Sequence, residues 1–147
     1  MLDLYTFISE QLDTEQMILE RNEKLFPRDG ERSKMEIWVG DHARQRQEER
    51  HINDKEIISA FFAAYADLNK KYKEREFDAN RDPSQTRDIL IIDARNDKEN
   101  PLTISCWLYR NRATNKLQYP AFTVKTVYRG VGGAKKSEEK AMKIFLY

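Results

Sequence analysis

Cysteine, glycine and proline are scarce in this 147-residue chain, and long apolar runs are absent. The single cysteine, Cys106, rules out an intramolecular disulfide. That points to a reducing cytoplasmic setting rather than to oxidising export. One cysteine and two histidines are too few soft ligands for a zinc site, so no metal is expected, and no cofactor either. No stretch approaches the roughly 18 apolar residues of a membrane span, so no membrane partner is expected. The start, Met-Leu-Asp-Leu-Tyr-Thr-Phe, lacks the basic residues and apolar block of a signal peptide. The five glycines form no Walker-type or Gly-x-Gly-x-x-Gly phosphate loop, and Gly130-Val-Gly-Gly133 reads as a turn. An excess of one charge sign is missing too. Lys and Arg number 26 against 25 Asp and Glu, for a net charge of +1, which excludes a uniformly polybasic nucleic-acid binder.

What is present argues for a folded domain. Seven Phe, seven Tyr and two Trp supply a core despite a charged fraction of 35%. The length suits one domain. Residues 1–34 read as an N-terminal helical arm. Leu4, Phe7, Ile8 and Leu12 have helical spacing, and Asp13 with Gln16 resembles a capping pattern ahead of Met17, Ile18, Leu25 and Phe26. Pro27-Arg-Asp-Gly30 ends the arm as a turn. Residues 35–147 form the main unit. Met35-Glu-Ile-Trp-Val39 suggests a short strand, and Asp41 an N-cap for a helix over 42–50. Asn53 and Glu56 form a capping box for the next helix, whose stripe is Ile57, Ile58, Phe61, Phe62, Tyr65 and Leu68.

Residues 70–87 are polar and read as a helix end and a loop. Strand signals follow at 89–93, 102–109, 121–128 and 142–147. Along 102–109 the residues Leu102, Ile104, Cys106 and Leu108 alternate with Thr103, Ser105, Trp107 and Tyr109. Along 121–128 strict alternation sets Phe122, Val124, Thr126 and Tyr128 against Thr123, Lys125 and Val127. A basic hairpin loop over 110–120 joins these two strands. Helices early and strands late imply an α+β fold, with N-terminal helices on a mostly antiparallel sheet of four to five strands.

The neutral total hides a gradient. Residues 1–34 carry −3, residues 35–87 carry −1 and residues 88–147 carry +5. A basic sheet half suits a phosphate-rich partner, although basic residues are also common on solvated strand faces.

The sharpest pattern is Asp41-His-Ala-Arg-Gln-Arg-Gln-Glu-Glu-Arg-His-Ile52. His42, Arg46 and Arg50 are spaced four apart, so a helix lines them up as one ridge. An imidazole exchanges protons near neutral pH, and a guanidinium fork matches phosphate. The same spacing also suits a solvated helix with pairs such as Arg46–Glu49. His51 falls off the ridge, just before the helix break. On the late strand, Thr126 and Tyr128 share a face and offer two hydroxyls. Lys125 and Arg129 flank them on or near the other face.

The helix His42-Ala-x-x-Arg46-x-x-x-Arg50-x-Ile52, the capped helix after it and the strand ending Thr-Val-Tyr resemble a known group. They are similar to BrnT-like and RelE-like toxins of the barnase–EndoU–colicin–RelE ribonucleases over about residues 35–130. The resemblance implies a metal-independent RNA endonuclease in which the RNA 2′-OH attacks the adjacent phosphate. It matches His42, Arg46 and Arg50 to the helix motif and Thr126 and Tyr128 to the end-of-strand positions. His42, Arg46, Arg50 and Tyr128 are thus the expected catalytic residues and Thr126 an expected substrate contact, with the flanking Lys125 and Arg129 added to it from the strand pattern. The resemblance also implies RNA as substrate and an antitoxin as partner. The acidic arm is an addition to that group. The alternative is a non-catalytic phage or accessory protein that binds a host protein through residues 1–26. An arm acting as an inhibitory lid on the basic sheet is a third reading.

Overall fold

The computed structural model describes residues 22–28, 33–79, 82–109, 119–130 and 141–147. In chain order the elements are β1 (Asn22–Phe26), β2 (Glu36–Gly40), α1 (Asp41–Arg50) and α2 (Asp54–Lys73). β3 (Asp78–Ala79), β4 (Asp82–Thr86), β5 (Asp88–Asp93), β6 (Leu102–Leu108), β7 (Ala121–Arg129) and β8 (Met142–Leu146) follow. β3 and β4 form a small ladder of their own. The other strands make one sheet in the order β1-β2-β7-β6-β5-β8. The α+β class is as expected, with two helices among the described residues. Neither helix is long and apolar enough to cross a membrane.

The sheet differs from the expectation in two respects. It has six strands, and it is mixed: β2 pairs with β7, and β5 with β8, in parallel. Short links predict antiparallel neighbours, and the link between β5 and β6 delivers one. The two parallel pairs join segments far apart in sequence, which link length cannot reveal. The arm also differs where it is described. Asn22–Phe26, expected to be helical, is a strand paired with β2, and it turns Leu25 into the core. The helices expected over 4–18 and the loop over 110–118 lie outside the described residues.

α2 is the element that follows most directly from its residues. The Asn53 side chain accepts from the Glu56 backbone N–H at 2.9 Å, and Glu56 accepts from the Asn53 N–H at 3.0 Å. That closes the capping box. Its buried stripe is Ile57, Ala60, Phe61, Ala64 and Leu68. Phe61 meets Phe122 of β7 with ring centroids 5.6 Å apart, so α2 covers the face that carries Phe122. Phe62 is instead 51% exposed and packs edge-on against Phe26 of β1.

α1 begins where β2 ends. Asp41 is not the cap: Gly40 holds that position with no side-chain bond, and Asp41 sits in the first turn, where its charge suits the helix dipole. β2 is registered with β7 only as far as Val39 and Val124. Beyond that point α1 takes the place beside β7 that β2 vacates, and it packs mainly against that strand. Ala43 and Gln47 are its buried residues. Gln47 donates to the Ile52 carbonyl and to Asp54, and accepts from Arg44, which ties the end of α1 to the start of α2.

β7 carries a bulge. Cys106 of β6 pairs with Val124, and Ser105 pairs with Thr126, leaving Lys125 as the extra residue. The bulge changes the phase of the strand. Phe122, Val124 and Val127 face the core, while Thr126 and Tyr128 join Ser105 and Thr103 on the opposite face. Strict alternation is thus corrected from Thr126 onward. Val127 explains the correction, because one inserted residue turns this apolar side chain inward.

Candidate functional site

The ridge residues lie on the flank of α1 next to its buried line of Ala43 and Gln47. His42 is exposed in the first turn. Arg46 donates to Glu49 at 2.7 Å. That bond, chiefly, holds the Glu49 carboxyl below the usual carboxylate range. Arg50 reaches across to β7, where its Nη1 donates to the Val127 carbonyl at 2.6 Å. Val127 lies past the last residue paired with β2, so Arg50 satisfies a backbone acceptor that the sheet leaves open on that side. The contact falls between Thr126 and Tyr128. The C-terminal end of the ridge therefore docks on the hydroxyl-bearing strand.

The two expected flanking cations separate. Lys125, at the bulge, lies on the same face as Thr126 and Tyr128, not on the other one. Its ammonium is 3.1 Å from the Asp88 carboxylate and 4.7 Å from the Trp107 ring centroid. Arg129 keeps to the helical face and donates to Glu56 of α2 at 2.6 Å. Arg46, Lys125 and Arg129 thus each have a carboxylate partner, and Arg50 has a carbonyl. All these groups are partly solvated, where an ion pair contributes only ~0–1 kcal/mol. A phosphate can displace such a partner at small cost.

A cleft beside Arg129 lies between the start of α2 and the loop joining β5 to β6. Glu56, Asp93, Asp97 and Asn100 line it, and it holds about 60 Å³. That is room for a few waters and far less than a nucleotide needs. Its carboxylates also disfavour an anion. Among the described residues no group of three or more His, Cys, Asp or Glu is arranged to hold a metal ion.

The face of the sheet away from α2 holds groups that the helix motif does not reveal. Trp38 of β2 stacks on Tyr109 at 5.5 Å and 13°. Lys24 of β1 lies 5.9 Å from the Trp38 ring. Trp38 Nε1 donates to Glu36 at 3.1 Å. The Tyr119 hydroxyl is pushed up by burial and by neighbouring Glu36. The alternation along 102–109 already sets Trp107 and Tyr109 on this side with Thr103 and Ser105. Only strand order brings Trp38 and Lys24 to them. Cys106 faces the core, where full burial pushes its thiol far up and leaves it without nucleophilic character.

No family model matches the chain, and neither a curated protein nor a solved structure is found to be similar to it.

Proposed function

We propose that this chain is a metal-independent RNA endonuclease of toxin type, acting along the seam between α1 and β7. The Arg50 contact with the Val127 carbonyl carries the reading, because it docks the C-terminal end of the ridge on the strand bearing Thr126 and Tyr128. In the proposed reaction the RNA 2′-OH attacks the adjacent phosphorus, the 5′-oxygen leaves, and a 2′,3′-cyclic phosphate forms. His42 exchanges a proton with the attacking or leaving oxygen. Arg46 gives up Glu49 for a phosphoryl oxygen and stabilises the charge that develops there. Arg50 spends one of its five N–H donors on Val127 and keeps the rest for phosphate. Thr126 and Tyr128 orient the phosphate, and Lys125, which shares their face, holds a neighbouring one; Arg129, on the helical face with Glu56, takes no part in that contact. An antitoxin is the proposed partner.

The test is RNA cleavage in EDTA by wild type, His42→Ala and Arg46→Ala. Loss of one electrostatic donor is expected to slow cleavage by about 10²–10³. Equal rates for all three proteins would overturn the site assignment, and no cleavage by wild type would overturn the activity.

The carboxylate on each of Arg46, Lys125 and Arg129 favours a second reading, a binding protein without catalysis. It would grip a host protein through its acidic N-terminal segment. Deleting residues 1–21 removes that segment and leaves β1 in the sheet. Under this reading the deletion abolishes a stable host complex, and the His42 variant does not.

A further inference from the structure

One row of side chains crosses five strands on the face away from α2. Lys24 of β1 is registered with Trp38 of β2, and Trp38 with Thr123 of β7. Thr123 is registered with Trp107 of β6, and Trp107 with Asp88 of β5. The order is cation, indole, hydroxyl, indole, carboxylate. Lys125 adds a second ammonium over Trp107.

The middle of this row is incomplete. Trp107 Nε1 and Thr123 Oγ1 are buried and have no hydrogen-bond partner, and Thr123 is 4% exposed. Buried polar atoms in folded proteins are nearly always paired. Here the two orphans belong to register partners on adjacent strands. By contrast Trp38, one strand further on, is satisfied by Glu36.

We infer that this row is a nucleotide subsite for single-stranded RNA, which rests on the RNA reading above and supplies its base-binding half. Adjacent strands lie about 4.8 Å apart, so the two indoles flank Thr123 at roughly 10 Å from each other. An indole N–H and a hydroxyl side by side match the adjacent acceptor and donor found on the pairing edge of every base. The indoles provide stacking surfaces, and Lys24 and Lys125 attract the backbone. Thr123 is covered in the free protein, so a base reaches it only when the side chains around it rearrange. Stacking on aromatic rings tolerates any base, which predicts weak sequence preference.

Trp38 and Trp107 are the only tryptophans in the chain, so intrinsic fluorescence reports on this face alone. The full-length protein is titrated with a single-stranded RNA octamer, and in parallel with uridine monophosphate. Saturable quenching, tighter for the octamer, is the expected result. Equal affinities would overturn a strand-binding role. Trp38→Ala and Trp107→Ala each keep one reporter and are expected to weaken binding roughly five- to hundredfold. Thr123→Val removes the orphan hydroxyl while keeping its shape. It is expected to weaken binding about tenfold with an unchanged or higher unfolding midpoint. A higher midpoint with unchanged RNA affinity would overturn the subsite. Octamer cleavage that depends on His42 but gives no quenching also overturns it, and leaves the nuclease reading standing. Quenching without cleavage keeps the subsite and removes the nuclease.

Discussion

Asp93 shows what a buried charge needs in this protein. It is 6% exposed, and Arg95 donates to it from Nε at 2.9 Å, from Nη2 at 2.8 Å and from its backbone N–H at 3.1 Å. The Arg95 side chain first, and its backbone second, hold the Asp93 carboxyl below the usual carboxylate range. A lowered folded-state pKa means that the folded protein favours the charged form. The stabilisation is therefore full above the ordinary carboxylate value of about 4. It is lost as pH falls through the lower folded value. Asp93→Asn is expected to cost ~1–3 kcal/mol at pH 7. Its deficit against wild type should shrink below about pH 4, as read from urea midpoints at several pH values. The sequence shows Asp93 at a strand end with Arg95 two residues on. It does not show that the carboxylate is buried. His51 was more legible: it sits before a helix break, and it takes the left-handed conformation at φ 54° that ends α1.

Among the elements, α2 was readable because its signals are local. A capping box spans four residues, and the stripe spans turns of one helix. Asn53→Ala is expected to cost ~1 kcal/mol. Glu56→Ala should cost more, because Glu56 both completes the cap and holds Arg129 of β7. Thermal midpoints of the two variants check the order, and a Glu56 variant as stable as Asn53→Ala would separate Arg129 from the fold. β7 was only partly readable. Its residues promise a strand, but the bulge at Lys125 is a relation between two strands. Its one local trace is Val127, an apolar residue out of phase with Phe122 and Val124. α1 shows the same division. The spacing of His42, Arg46 and Arg50 is local, whereas the docking of Arg50 on Val127 depends on where β2 stops pairing.

At the scale of the molecule, one core joins α2 to the sheet. Phe61 is fully buried against Phe122, which in turn meets Phe77 with centroids 6.0 Å apart. Phe61→Ala is expected to destabilise by ~3–5 kcal/mol. That is a large part of the ~5–15 kcal/mol available to a domain. A urea midpoint within error of wild type would show that α2 is not the keystone of this core. The charge gradient also gains detail. Three cations of the basic sheet half, Lys125, Arg129 and Arg95, are each paired with a carboxylate. Asp88 and Asp93 are already counted in the +5 of that half, so among these pairs only the one with Glu56 of α2 offsets its net charge from outside.

Composition and periodicity by themselves determined the α+β class, the second helix with its cap, and the positions of the later strands. These depend on neighbours within a few residues, so they can be read along the chain. Tertiary structure alone decided the parallel pairs, the strand at Asn22–Phe26, the face on which Thr126 and Tyr128 stand, and the Lys24–Trp38–Thr123–Trp107–Asp88 row. Each is a relation between segments that only strand order and register bring together, and for Thr126 and Tyr128 a single bulge decides the face.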